Sequence, residues 1–148
     1  MEIRRFREAD SHRASEIIWK ALEINNSKDY GADVLSSMKK EYSPDHICIL
    51  SRRRIFLVLE SENRILGIGG LENDFICSVF VDPDEQGKGI GNMIMKELES
   101  LAKKNNHKSV FLHSSLTAES FYLKNGYKPQ KRIVVPVSGE NILMEKEL

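Results

Sequence analysis

The sequence is 148 residues long, with 41% hydrophobic and 30% charged residues. At about 150 residues per domain this fits a single domain over residues 1–148 with the composition of a soluble globular protein. Its 22 basic and 22 acidic side chains cancel to a formal charge of zero, which argues against nucleic acid or any other partner held mainly through a phosphate backbone.

Glu2 to Phe6 reads as a short strand. Ala14, Ile17, Ile18, Ala21 and Leu22 then recur at helical spacing and predict an amphipathic helix opening near Asp10. A second helix is expected from Asp33 to Tyr42, with Val34, Leu35, Met38 and Tyr42 inward. Ser43-Pro44 supplies a cap and a first-turn proline for a short helix to Leu50. Arg54–Glu60 and Arg64–Leu71 are apolar runs separated by Ser61-Glu62-Asn63, which predicts a hairpin. Within the second run, Gly67-Ile-Gly69-Gly70 opens no helix, so it marks a bulge or close packing.

Ile76–Val81 is apolar on both faces, as a central strand should be, and Pro83 ends it. Ile90, Ile94, Leu98, Leu101 and Ala102 mark a long amphipathic helix, followed by a buried strand at Val110–Leu112. Ala118–Asn125 reads as a short helix stopped by Gly126. Ile133–Val137 and Ile142–Glu145 close the chain as a hairpin around Ser138-Gly139-Glu140-Asn141. This order predicts a mixed α/β layer with helices on both faces of one sheet. Ile76 to Leu112 forms its parallel crossover.

Cys48 and Cys77 make no disulfide framework, and with no CxxC pair or Cys/His cluster they read as reduced, small apolar side chains. No ligand spacing for a metal occurs among the histidines. The N-terminal MEIRRFREAD carries no apolar signal core, and no run reaches the ~18 apolar residues of a membrane span, so a cytoplasmic protein without a membrane partner is expected.

The segment that carries chemistry is Val79 to Gly91, VFVDPDEQGKGIG. A strand stops at a proline, a glycine turn follows, and a helix opens from it. The first amides of a helix lack intrahelical acceptors, and the end carries partial positive charge, so a diphosphate is the natural guest. Gly87, Gly89 and Gly91 would let the backbone approach phosphate oxygens. The turn is not a Walker A loop, because Asp82 and Gly89 stand where Gly and Ser/Thr are needed. It is not the dinucleotide fingerprint either, since Asn92 replaces the third glycine.

What the segment resembles is the GCN5-related N-acetyltransferase (GNAT) superfamily, whose acetyl-CoA signature Q/R-x-x-G-x-G/A is matched by Gln86, Gly89 and Gly91. Val81-Asp82-Pro83 before it is similar to the family. So are Ala118-x-x-Phe121-Tyr122-x-x-Asn125-Gly126-Tyr127 and the closing Met144-Glu145-Lys146, so the likeness runs the length of the chain. The resemblance implies a mostly antiparallel sheet of about seven strands, with a splayed parallel pair at Ile76–Val81 and Val110–His113. Acetyl-CoA would lie in the splay, with no metal required. Its diphosphate would sit on residues 86–91 (Gln86, Gly87, Lys88, Gly89, Ile90 and Gly91), its pantetheine arm along Phe80 and Val81. The amide of Val81, or of a neighbour at a bulge, would polarise the thioester carbonyl. Ser115 stands where many members have asparagine and would face cofactor amides.

By the same resemblance Tyr122 takes the general-acid position, protonating the departing sulfur. Glu72, at the end of a strand expected to face the splay, is the candidate base through water, with Asp74 and His113 as rivals. Each has a plainer reading: Tyr122 as a core aromatic with a wet hydroxyl, Glu72 as a solvated strand-end carboxylate. Arg52-Arg53-Arg54 reads as a solvated run before a strand, or as a contact to the cofactor's 3′-phosphate. The function this implies is direct acetyl transfer to a primary amine of a small molecule or a protein. A non-catalytic acyl-CoA-binding or regulatory module on the same fold is the alternative. A nucleotide-binding interaction protein is a third reading. Dimerisation through a sheet edge is common in the family.

Overall fold

The computed structural model describes residues 1–136 and 138–148. Its core is a seven-stranded sheet in the order β1-β2-β3-β4-β5-β7-β6. The strands are β1 Glu2–Arg5, β2 Ile55–Ser61, β3 Arg64–Glu72, β4 Phe75–Val81, β5 Ser109–Ser114, β6 Lys128–Val135 and β7 Gly139–Glu147. Only β4 and β5 run parallel; the other neighbours are antiparallel. The expected mixed sheet with one parallel pair is therefore present, and β4 lies at its centre.

Helices α1 Ser11–Ala21, α2 Ala32–Glu41 and α3 Pro44–Leu50 cover one face. There Ile17, Ile18, Ile47 and Leu50 pack with Phe56, Val58 and Ile68 of the sheet. The other face carries α4 Ile90–Lys104 and α5 Glu119–Lys124, whose Ile94, Met95, Leu98 and Tyr122 join Leu57, Leu71, Ile76, Leu112 and Met144. A π turn, Leu22–Asn26, prolongs α1, an extension the periodicity did not predict. The Ser43 cap behaves as expected, its hydroxyl accepting from the amide of His46 at 3.2 Å.

Two local features prepare the site. On β3, a Cβ at Gly69 would lie 2.5 Å from Cγ2 of Ile94 and one at Gly67 2.9 Å from its Cδ1. The glycines thus let α4 pack hard against the middle of the sheet. On β4, Gly70 faces Cys77 and Ile68 faces Phe80, so Ser78 and Val79 together oppose Gly69. This is a β-bulge, and Ser78 sits in it at φ 55°. Past the bulge β4 turns away from β5; the two are in register only at Phe75–Phe111 and Ile76–Leu112.

The closing hairpin differs from expectation. β6 begins at Lys128, five residues before Ile133, and β7 lies between β5 and β6. The polar stretch Lys128-Pro-Gln-Lys-Arg132 is a strand because it lies on the sheet edge, where a proline leaves no ladder bond unmade. Val137, the predicted end of that strand, lies outside the described residues.

Candidate active site

The splay between β4 and β5 opens into a cleft of about 690 Å³. One wall is β4 from Phe75 to Val81, whose edge beyond Ile76 has no strand on its β5 side. The floor is Leu112 and Tyr122, and the far rim is Asn25, Asn26, Tyr30, Met38 and Glu41 together with Ser138 and Asn141 of the closing hairpin.

At one end the cleft meets the glycine turn and the start of α4. Gly89 caps the helix at φ 78°, and Gly87 lies at φ 81°. Both are backbone conformations in which a side chain is strained. The first intrahelical bond here runs from Met93 N to Gly89 O at 3.0 Å, which leaves the amides of Ile90, Gly91 and Asn92 free for an outside acceptor. A Cβ at Gly87 or Gly89 would meet nothing within 4 Å. The space above these amides is therefore open, and it fits a diphosphate. Gly91 has a different reason to be glycine, since a Cβ there would lie 3.0 Å from Cζ of Phe121. The missing side chain there seats α5 against α4.

The turn is held in place from below. Asp82, fully buried, accepts from Arg13 Nη2 at 2.7 Å and from the amide of Asp84 at 3.0 Å. Burial alone would raise its pKa. The Asp84 amide and the Arg13 guanidinium outweigh that and hold the carboxyl below its ordinary 3.8.

Of the residues the sequence pointed to, Phe80, Val81, Gln86, Gly87, Gly89, Ile90, Gly91, Ser115 and Tyr122 all line the cleft. Tyr122 is 9% exposed and packs edge-on to Phe121 and Tyr127 at 5.1 and 5.9 Å. Burial raises its phenol pKa, as do Cys77 and Tyr42 nearby, so the hydroxyl stays protonated. Ser115 Oγ accepts from the amide of Ala118 at 3.2 Å, which ties it to the turn into α5.

Two expected residues stand elsewhere. Lys88 is outside the cleft wall and pairs with Glu85. Glu72 does not face the splay. The reversal at Asn73 (φ 56°) sets Glu72 opposite Phe75, and its Oε1 lies 3.5 Å from Arg54 Nε, in a separate depression. Asp74 is also off the cleft wall; its carbonyl accepts from the amide of Phe111 at 3.0 Å. His113 does line the cleft, its ring 4.9 Å from that of Phe75, and burial lowers its pKa below 6.5.

Sequence reasoning missed a polar cluster behind the bulge. Tyr42 Oη and Ser78 Oγ are 2.8 Å apart, and Arg54 Nη1 donates to the same Ser78 oxygen at 3.2 Å. Tyr42 read only as an inward helix residue and Ser78 as one small residue in an apolar run. Cys77 lies beside them, its thiol pushed up to about 11 chiefly by burial, so it is no thiolate at neutral pH. Among the described residues no group of three His, Cys, Asp or Glu side chains could hold a metal ion.

A central parallel pair splayed beyond a bulge, with a helix N-terminus at its open end, defines a mixed α/β fold with a cleft at its centre. The model of the acetyltransferase (GNAT) domain family matches residues 18–148, and the chain belongs to that family. A GCN5-related N-acetyltransferase structure from Rhodopseudomonas palustris superposes with a TM-score of 0.93 at 21% identity, covering 99% of this chain and 95% of that one. The PaiA N-acetyltransferase of Thermoplasma acidophilum, solved in complex with coenzyme A, superposes at 0.83 and 21% identity over 99% and 98% of the two chains. Among curated sequences, the tRNA(Met) cytidine acetyltransferase TmcA of Thermofilum pendens is 34% identical over 84 residues, 52% of this chain. The matched segment spans only 10% of that relative's length.

Proposed function

We propose that this protein transfers an acetyl group from acetyl-CoA directly to a primary amine of a small-molecule or protein acceptor. The observation that carries this is the unpaired edge of β4, which runs from the bulge at Ser78 towards the open glycine turn in the cleft that Tyr122 also lines. An unpaired strand edge offers main-chain donors and acceptors to an extended amide-bearing chain, and the free amides of α4 suit a diphosphate. Residues 86–91 would hold the diphosphate of the carrier, Phe80 and Val81 its pantetheine amides. When bound, acetyl-CoA supplies an activated thioester.

This chain's own groups would do the rest. The protonated Tyr122 phenol donates to the departing sulfur. An amide freed by the bulge at Ser78–Val79 polarises the thioester carbonyl. Of the three candidate bases, His113 alone lines the cleft, and its lowered pKa keeps it unprotonated and able to take the ammonium proton, directly or through water. With Cys77 protonated, direct transfer is favoured over a thiol-bound relay.

The test is a thiol-release assay with acetyl-CoA against a panel of amines. Release that depends on an amine and collapses in Tyr122→Phe supports the assignment. Tight acetyl-CoA binding with no turnover on any amine would favour the binding-module alternative.

A further inference from the structure

A second concavity, of about 550 Å³, lies at the far end of α4. The 15-residue helix spans ~22 Å at 1.5 Å per residue, which sets this depression well away from the glycine turn. Its wall is unusually basic for a chain of zero net charge. Arg5, Arg52, Arg53, Arg54 and His107 converge there against a single carboxylate, Glu72. Among the described residues Arg54 pairs with Glu72 at 3.5 Å, while Arg5, Arg52 and Arg53 pair with no acidic side chain.

These arginines are not needed to cap the helix ends around them. The last four carbonyls of α3 are already taken: Ile47 by the amide of Ser51, Cys48 by the hydroxyl of Ser51, Ile49 by the amide of Arg52, and Leu50 by the amides of Arg53 and Arg54. At the end of α4 the amides of Asn105, Asn106 and His107 take the carbonyls of Leu101, Ala102 and Lys103. Two helix ends contribute a partial negative charge of about half a unit each, well short of what four guanidinium groups supply. Between Arg54 and Glu72, Nε and Oε1 are buried and neither makes a hydrogen bond. The wall thus has donor capacity left over. Planar guanidinium forks match phosphate oxygens two at a time, and the volume is that of a small-ligand site.

We propose that this depression binds a small phosphate-bearing anion, gripped by Arg52, Arg53 and Arg54. The inference stands apart from the acetyl-transfer assignment, because none of the residues that would hold the diphosphate of a carrier lies in it. Arg54 also touches the cleft through Ser78, so an anion drawing its guanidinium away from Ser78 would be felt at the bulge.

The experiment is calorimetric titration with inorganic pyrophosphate of the wild-type protein, the double variant Arg52→Ala/Arg53→Ala and the variant Gly89→Asp. The two arginine side chains are exposed, so thermal melting should show the double variant folded. We expect a site in the wild type that is weakened at least about tenfold in the double variant, as the loss of a charged bond pair requires, and that persists in Gly89→Asp, where any pyrophosphate held by the glycine turn is lost. No binding to the wild type overturns the proposal. So does binding abolished by Gly89→Asp and indifferent to the arginines, which would instead place pyrophosphate on the glycine turn. A parallel titration with an RNA hairpin separates the sources of phosphate: RNA binding without pyrophosphate binding overturns a small-anion site. Failure of the acetyl-transfer assay leaves each of these outcomes readable.

Discussion

Arg13 reaches from α1 to place Nη2 2.7 Å from Oδ2 of Asp82, a carboxylate with no solvent exposure at the end of β4. One ion pair thus fixes the start of the turn that leads to residues 86–91. Lys20 Nζ at 3.7 Å and Arg64 Nη2 at 3.6 Å add weaker attraction. Removing Arg13 in Arg13→Ala should cost about 2–3 kcal/mol, less than the roughly 3–5 kcal/mol of a fully isolated buried charge because those two cations remain. Urea denaturation measures it.

The same pair sets a pH dependence. Asp82 and Asp10 both have folded-state pKa values below the ordinary 3.8, after burial that would raise them is outweighed by Asp84 and Arg13 for one and Arg4 for the other. A depressed carboxyl pKa contributes stability that is complete above the unfolded value and lost as pH falls through the folded one. The melting temperature should hold steady from pH 7 to pH 5 and then fall below pH 4. In Asp82→Asn that acid-limb slope should be shallower.

The roles of the two glycines, Gly89 and Gly91, separate by mutation. Gly89→Ala forces a Cβ onto φ 78° with open space around it, which costs about 1–2 kcal/mol of backbone strain and lowers the melting temperature by several degrees. Gly91→Ala has ordinary helical backbone but presses on Phe121. The gain in helix propensity, up to about 1 kcal/mol, offsets that crowding. Its melting temperature should stay close to wild type while coenzyme A affinity, read by calorimetry, falls as Phe121 shifts in the cleft wall.

Tyr122→Phe should leave stability unchanged, because the hydroxyl bonds to no protein group among the described residues. If the phenol is the general acid, kcat should drop about 10²-fold or more with little change in acetyl-CoA affinity. Since burial raises its pKa above the ordinary 10, the wild-type rate should show no alkaline loss from this group below pH 10.

Much of this site was legible in the sequence, because a glycine turn after Val-Asp-Pro and before an amphipathic helix has one economical structure, and Phe121-Tyr122 before Gly126 another. What was not legible depends on chain segments far apart. Ser78 looks like any small strand residue until β3 and β4 pair out of step around it. Glu72 sits at a strand end as expected, but which depression it faces is decided by Arg54, from the preceding strand's approach loop. The early start of β6 was hidden by Pro129 and its polar neighbours, which only an edge position tolerates.

The bulge gives a prediction that separates backbone from side chain. Ser78 holds φ 55°, and its hydroxyl is the partner of Tyr42 at 2.8 Å. Ser78→Ala keeps the strain and loses the partner, costing about 1–3 kcal/mol for the buried phenol left unpaired. Ser78→Gly loses the same partner but relieves about 1 kcal/mol of left-handed strain. Glycine should therefore be the more stable of the two by urea denaturation, an order opposite to that of ordinary strand positions, where glycine is the weaker residue. Equal stabilities would mean that the bulge relaxes when the hydroxyl is removed.

His113 offers the last measurement. Burial alone lowers its pKa below 6.5, so the imidazole is neutral at pH 7 and gains its proton only as the medium turns acidic. As the base, it predicts that kcat/KM falls on the acid side with a midpoint below 6.5, after correction for the amine's own titration. His113→Gln keeps the side chain polar and similar in size but removes the titrating nitrogen. It should lower kcat at pH 7 by about 10²-fold, the lower end of general-base contributions, and erase that acid limb. It should leave acetyl-CoA affinity near wild type, because the residues that would hold the diphosphate lie at the other end of the cleft. A variant with an intact acid limb would move the base to another cleft residue, and Glu41, which also lines the cleft, would then be the next carboxylate to replace.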